Sequence, residues 1–175
     1  MEVYIRGLPH LCIDRGKMKL DLDIGVDLID NGTSDDYYTP PFIFEALGLT
    51  YDIDVASPPG GVPWITKKRY FTVLDDGLNQ DWEGLVWCNP PYSSPAPWAN
   101  KMIAHNNGIA LVPLSKSKWF NEMWEMSAAA LVLSPKLKFI RGSGAAVPIF
   151  MPVMLHAFGD IAAAALVKSN LGRVR

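Results

Sequence analysis

The stretch Gly84-Leu-Val-Trp-Cys-Asn-Pro-Pro-Tyr-Ser-Ser-Pro-Ala-Pro-Trp98 decides the fold. Gly84–Cys88 is an apolar run of strand length, rich in residues that fit a sheet buried on both faces. Asn89-Pro90-Pro91-Tyr92 then stops it. Proline lacks an N–H and fixes φ, so two in a row end the ladder and hold a stiff, extended elbow. A buried strand that ends in an elbow bearing a carboxamide and a phenol presents chemistry at its carboxyl end. In open α/β sheets that end is where ligands bind.

The chain on either side reads as alternating short strands and helices. Thr39-Pro-Pro opens a helix through Ala46, with Thr39 as N-cap, Pro40 in the first turn and Gly48 at the stop. Tyr51–Ala56 alternates apolar and acidic residues like a strand, and Ser57-Pro-Pro-Gly-Gly61 breaks it. After the central strand come a helix over Trp98–Asn106, a strand over Gly108–Leu114 and a helix over Lys118–Met126. Strands are expected over Ala129–Leu133, Lys136–Ile140 and Ile149–Phe158, and a last helix over Ile161–Ser169. The pattern predicts an α/β fold with a largely parallel central sheet. Residues 1–34 end in the turn cluster Asn31-Gly-Thr-Ser34 and read as a strand pair or a loosely attached arm, leaving 35–175 as the main domain.

At 175 residues and 49% apolar composition, the chain is long enough for one domain with its own core. Cys12 and Cys88 lie far apart with no C-x-x-C partner, which suits free thiols in a reducing interior. No signal-peptide pattern opens the sequence, and the apolar stretch Pro148–Val167 is broken by Pro152, His156 and Asp160. A soluble, cytoplasmic chain with no membrane partner is expected. The net charge of −2 hides a division. Residues 1–89 carry 7 Lys/Arg against 15 Asp/Glu, and residues 90–175 carry 9 against 3. An acidic half followed by a basic half is compatible with one face meeting a polyanion, although scatter of surface charge accounts for it equally well.

At the elbow, the Asn89 oxygen and a nearby backbone carbonyl are pure acceptors. Two convergent acceptors suit a group with two N–H bonds, such as the exocyclic amine of a nucleobase. Tyr92 adds a flat ring on which a base can stack.

Asn89-Pro-Pro-Tyr92 after an apolar strand resembles the catalytic motif of S-adenosylmethionine-dependent amino-group methyltransferases. The resemblance extends over roughly Asp35 to Phe158 and is to phage-type DNA N6-adenine methyltransferases. Asp35-Asp-Tyr-Tyr-Thr-Pro40 resembles their D-x-W/Y-x-T-P opening, and Tyr51-Asp-Ile-Asp-Val-Ala-Ser57 their acidic cofactor strand. Asp76-Gly-Leu78 with Asp81-Trp82 is similar to the segment leading into the catalytic strand. Leu111–Ser115, Trp119-Phe120 and Phe139-Ile-Arg-Gly142 are similar to the blocks after it. The glycine-rich F-x-G-x-G loop common in the wider methyltransferase class is absent, and Ser57–Gly61 stands in its place.

The resemblance implies a Rossmann-like methyltransferase domain that flips an adenine from double-stranded DNA and methylates its N6. It implies that Asn89 and the Pro90 carbonyl accept from N6–H, with Pro91 holding the elbow and Tyr92 stacking on the base. It implies cofactor contacts from Tyr38, Thr39 and Pro40, where the helix N-terminus suits a carboxylate, and from Asp54, Ala56 and Ser57. Asp52 and Asp54 are taken to face opposite sides of the sheet, and Asp54 is the one assigned. Asp76, or its neighbour Asp75, is assigned to the cofactor's adenine amine, and Leu78 to its ring. Cytosine N4, an RNA base or a protein glutamine presents the same NH₂ geometry, and an inactive DNA- or cofactor-binding relative of the fold would keep these residues too.

Lys116, Lys118, Lys136, Lys138 and Arg141 follow the catalytic strand and can track phosphates, a solvated face being the plain alternative. Loops 57–70 and 141–148 are the candidates for reading DNA sequence, with Gly142-Ser-Gly144 as a turn. Trp119, Phe120 and Trp124 fall at helical spacing and read as core. His10, His105 and His156 are scattered and give no metal spacing. Asp35-Asp36 and Asp75-Asp76 read as turn and cap residues rather than metal ligands.

Overall fold

The computed structural model describes residues 37–175. The expected N-terminal strands or arm, Asp35, Asp36, His10 and Cys12 lie outside the described residues. Twelve elements follow: α1 Pro41–Leu47, β1 Tyr51–Asp54, β2 Lys67–Tyr70, β3 Val86–Cys88, α2 Ala96–His105, β4 Gly108–Pro113, α3 Lys118–Met126, β5 Ala129–Val132, β6 Lys138–Ile140, β7 Ala146–Pro148, β8 Val153–Phe158 and α4 Asp160–Lys168. Six strands make one sheet in the order β2-β1-β3-β4-β8-β5, while β6 and β7 form a separate hairpin. The first four run parallel, and β8 lies antiparallel between β4 and β5. The fold is mixed α/β with a mostly parallel central sheet.

Alternation along the strands builds a core on each face. On one face Trp87, Ile109, Leu111, Leu131 and Leu155 pack with Ile43, Phe44 and Leu47 of α1 and with Ala162 and Leu166 of α4. On the other, Ile53, Val86, Cys88, Ala110, Val112 and Met154 pack with Ala99 and Met102 of α2 and with Phe120 and Met123 of α3. Because β1, β3 and β4 are parallel, their carboxyl ends share one edge. Asp54, Asn89 and Leu114 come out there side by side.

Several boundaries differ from the sequence reading, each for a physical reason. Thr39 is not the N-cap of α1: Pro40 holds that position, Pro41 opens the helix, and no side chain caps it. With two prolines at the start, the first turn loses N–H groups that would have faced an anion, so this seven-residue helix offers a carboxylate little. Helix α2 starts two residues early, because Pro95 takes the cap position and Pro97 is tolerated in the first turn. Strand β2 carries Lys67, Lys68 and Arg69 with no apolar alternation. It forms because its backbone pairs with β1 at the edge of the sheet. Lys136–Ile140 shortens to β6 and leaves the main sheet, pairing instead with β7. Ile149–Phe158 shortens to β8, so Phe150 lies outside any strand.

The Trp119, Phe120 and Trp124 cluster is core only in part. Phe120 is buried, but Trp124 is partly exposed, with the Arg175 guanidinium 3.8 Å over its ring. Pro148–Val167 resolves into the end of β7, β8 and most of α4. Among the described residues, no helix is long and apolar enough to cross a membrane. None of their His, Cys, Asp and Glu side chains gather in threes fit to hold a metal ion. Cys88 is a buried free thiol, and burial together with the nearby Asp54 raises its pKa.

Candidate active site

The backbone of Tyr37–Pro40 crosses the carboxyl edge of the sheet and ties four parts of the chain together. The Asn89 carboxamide donates from Nδ2 to the Tyr37 carbonyl at 3.2 Å. Only the nitrogen can donate to a carbonyl, so this bond sets the amide's orientation and leaves Oδ1 as a shielded oxygen with no hydrogen-bond partner among the described residues. Asn89 itself is only half-buried, so it sits at the sheet edge and not inside the core. The Tyr38 N–H donates to Ile140 O at 2.8 Å and Ile140 N–H donates back to Tyr38 O at 3.0 Å, which anchors the β6–β7 hairpin. Arg141 donates to the Tyr37 hydroxyl at 3.0 Å and lies over its ring. Trp64 Nε1 donates to the Thr39 carbonyl at 2.8 Å, fastening the loop after β1 to the same segment.

Beyond Asn89, Pro90 is buried and Pro91 half-buried, and a turn closes from Ser94 N–H to the Pro91 carbonyl at 3.2 Å. Tyr92 directs its hydroxyl inward. That oxygen is buried with no partner among the described residues, and burial, with Cys88 nearby, raises its pKa. What Tyr92 offers a ligand is therefore the exposed part of its ring and not its phenol.

At the end of β1, Asp54 is buried, whereas Asp52 is not. Residues two apart share a face in a regular strand. Here the Leu85 carbonyl accepts from both Asp52 N–H at 2.7 Å and Ile53 N–H at 3.5 Å, a doubling that interrupts the alternation. Asp52 pairs with Lys68 at 2.6 Å and accepts from Leu85 N–H at 2.7 Å, bonds that hold its carboxyl below the usual range. Burial instead pushes the Asp54 carboxyl up to about 6, against the weaker pull of the Ser57 hydroxyl, the Lys67 ammonium and the Ala56 N–H. Ser57 Oγ is near enough to act on Asp54 yet makes no hydrogen bond of ordinary length, and Thr39 Oγ1 is likewise buried and unpaired. Ala56 is half-buried between them in sequence.

The loop before β3 reaches the same edge. Gly77 packs so closely that a Cβ there would stand 2.1 Å from the Val55 carbonyl oxygen. Buried Trp82 donates to the Gly77 carbonyl at 2.8 Å, and Lys101 on α2 donates to the carbonyls of Leu78, at 2.6 Å, and Gln80. Leu78 is half-buried next to Gly77 in the chain. Asp76 is exposed, in a left-handed turn, and accepts from Asn79 Nδ2 at 2.7 Å. Asp75 accepts from Thr72 N–H and Oγ1, both at 2.8 Å. The two acids bond within their own turns, and Leu78 is the half-buried member of this trio.

The cations expected to meet phosphate divide by position. Lys116 and Lys118 follow β4 and are exposed, with Lys118 3.3 Å from Glu122. Lys136 is exposed on the approach to the hairpin, Lys138 is exposed at the start of β6, and Arg141 is held at the hairpin turn. The turn closes by Gly144 N–H to the Arg141 carbonyl at 2.8 Å.

A buried polar atom without a partner costs about 1–3 kcal/mol, so native proteins keep few of them. Among the described residues six side-chain atoms are in this state, and four belong to Thr39, Ser57, Asn89 and Tyr92. Their placement along one sheet edge with Asp54 fits ligands that bring their own donors: hydroxyls or an amine toward Asp54, Ser57 and Thr39, and an amine toward Asn89. Sequence reasoning missed Tyr37, Trp64 and Gly77. Tyr37 acts on Asn89 through its backbone carbonyl, and Gly77 acts by having no side chain, so neither has a residue type that announces its role. Trp64 gave one usable signal, a large aromatic just after a proline-glycine break.

A family model described as DNA N-6-adenine-methyltransferase (Dam) matches residues 29–147. The chain is also similar to the DNA N-6-adenine-methyltransferase of Haemophilus phage HP1 (strain HP1c1), with 28% identity over 95 residues, covering 47% of this chain and 53% of the relative. The chain thus spans about half the length of the curated relative it matches. No solved structure matches it. The matched segment takes in the Tyr37–Pro40 crossing, Asp54, the Asn89 elbow and the turn at Arg141, and by that match the chain belongs to the DNA N-6-adenine-methyltransferase family.

Proposed function

We propose that this protein transfers a methyl group from S-adenosylmethionine to N6 of an adenine flipped out of duplex DNA, using a Rossmann-like domain over residues 35–175. The observation that carries the reading is the Asn89 carboxamide, with its nitrogen spent on Tyr37 and its oxygen unpaired at the carboxyl end of β3. Such an acceptor is prepared for one N–H of an amine, and the family describes an adenine N6 enzyme.

The chain's own residues divide the work. Asp54, Ser57 and Thr39 would hold the cofactor's hydroxyl and amino groups at the end of β1, with Leu78 against its adenine. When bound, that cofactor supplies an electrophilic methyl group. Asn89 Oδ1 and the Pro90 carbonyl accept from the two N6–H bonds, which raises electron density on nitrogen and directs its lone pair away from them. On taking the methyl group, as the sulfonium S–C bond breaks to leave a neutral thioether, the nitrogen would become cationic, so its proton would be lost afterwards to water and no strong base is needed beforehand. Pro90 and Pro91 fix the elbow, and Tyr92 presents its ring to the base. Rate then comes from positioning and from fixed dipoles. Since Oδ1 has no surface open to solvent, the base reaches it only as neighbouring side chains give way.

Labelled S-adenosylmethionine with unmethylated duplex DNA, followed by nucleoside analysis, tests this. Label in N6-methyldeoxyadenosine is expected. Label confined to N4-methylcytosine, to RNA or to protein, or binding without any transfer, contradicts it.

A further inference from the structure

A base taken out of a duplex leaves a gap that must be filled or closed, and proteins that open base steps commonly insert an apolar side chain. The described residues contain two strongly exposed apolar pairs. Val73 and Leu74, 80% and 89% exposed, adjoin Asp75 and Asp76 in the loop before β3. Phe150, fully exposed at 104%, and Met151, at 46%, lie between β7 and β8. The surroundings of the two pairs differ in charge. The chain from Gly84 to Asn121 and from Met126 to Gly159 contains no Asp or Glu, but it carries Lys116, Lys118, Lys136, Lys138 and Arg141. Only the second pair has surroundings suited to a polyanion.

Its placement is fixed at both ends. β7 pairs with β6, which bridges to Tyr38 next to the carbonyl that holds Asn89. On the other side the Leu114 N–H donates to the Pro152 carbonyl at 2.9 Å, and Pro113 pairs with Val153, so the segment meets the carboxyl end of β4. Ile149 packs on the core while Phe150 points away from it. A fully solvated phenylalanine held on a short tether between two anchored strands, at the edge that carries Asn89, has no packing role to explain it.

We propose that Phe150 is a wedge that enters duplex DNA at the step vacated by the target adenine, with Met151 and Leu114 (49% exposed) as its apolar base and the cations around it on the phosphates. This inference rests on the reading of the chain as a base-flipping DNA enzyme. It adds a residue, and a segment outside both expected recognition loops, to the DNA-contacting face.

The test compares Phe150→Ala with the parent on two duplexes that share a methylation site, one fully paired and one with an abasic site opposite the target adenine. On the paired duplex kcat/KM should fall by about tenfold or more, because the cost of holding the step open is no longer offset. On the pre-opened duplex the variant should stay within about twofold of the parent, and Phe150→Trp should restore the paired activity by the same logic. Equal losses on both duplexes, or no loss on the paired one, would overturn the wedge. So would sedimentation showing a parent dimer that Phe150→Ala dissociates, since Phe150 would then serve a second copy of the chain. A parent protein that methylates neither duplex would reject the functional reading itself, separately from Phe150.

Discussion

At the β1 end of the sheet's carboxyl edge the charges are dense and mutually satisfied, whereas at the β3–β4 end they are sparse and mostly positive. Around β1 and β2, Lys68 pairs with Asp52, Arg69 with Glu83, and Lys67 donates to the Val62 carbonyl while acting on Asp54. Along the other half only Glu122 and Glu125 interrupt 76 residues, Gly84 to Gly159, otherwise free of carboxylates. The ammonium groups of Lys116, Lys136 and Lys138 have no hydrogen bond or ion pair among the described residues. The acidic-then-basic order of the sequence has become a division along one edge. A buried carboxylate at one end suits a small ligand rich in donors, and unspent cations at the other suit phosphates. Asn89 stands where the two meet, its acceptor neutral and unpaired.

The largest effect that would sharpen this division is at Asn89. Asn89→Ala removes the acceptor proposed for the amine, and removing one prearranged polar group from a reacting centre costs roughly 10²–10³ in kcat. Cofactor affinity, measured by calorimetry, should stay within about twofold, because the proposed reading gives Asn89 to the base and not to the β1 end. A matching loss of cofactor affinity would merge the two halves into one site.

Asp54→Asn should do the converse, raising the cofactor dissociation constant by about tenfold or more, as expected when a charged hydrogen bond is removed. Its stability effect has a definite sign. The folded carboxyl sits above its unfolded value of 3.8, at about 6, because of burial. The native state therefore holds its proton longer, and stability is greatest below about pH 4 and lost as pH rises through about 6. Asparagine lifts that cost, so the stability of the variant relative to the parent should grow by about 1–2 kcal/mol from about pH 5 to about pH 8 in denaturant titrations. A difference independent of pH would mean that Asp54 is not held protonated by burial. A gain in stability with a loss of binding is the mark of a residue kept for its ligand.

The smallest effect lies at the basic end. Replacing both Lys136 and Lys138 by alanine should weaken duplex binding mildly and reduce the slope of log affinity against log salt by up to about 0.9 for each phosphate no longer neutralised. Cofactor affinity should not move. An unchanged slope would take these two lysines off the DNA face.

Much of this edge was legible because its signals are punctuation. Apolar runs that stop at Asn89-Pro-Pro and at Ser57-Pro-Pro-Gly-Gly announce strands with something to present, and all four unpaired atoms at this edge, on Asn89, Tyr92, Thr39 and Ser57, belong to residues named on chemical grounds or through the family resemblance. Strand β2 was not legible, since Lys67-Lys-Arg69 forms an edge strand through its backbone alone. Thr39 read as a cap because threonine before proline-proline usually is one. The structure moves the cap to Pro40 and leaves the Thr39 hydroxyl unbonded. The β6–β7 hairpin was hidden because Tyr38, about a hundred residues upstream, completes it. Asp76 illustrates the converse, since what the structure shows of its side chain is a bond within its own turn, from Asn79.

The decisive measurement is a structure of the protein with S-adenosylhomocysteine and the duplex identified by the methylation assay. Asn89 Oδ1 should lie about 2.7–3.2 Å from N6 of an extruded adenine while Nδ2 keeps its bond to the Tyr37 carbonyl. An adenine still stacked in the helix, or an Asn89 oxygen satisfied by another protein group with N6 bound elsewhere, would contradict the assignment.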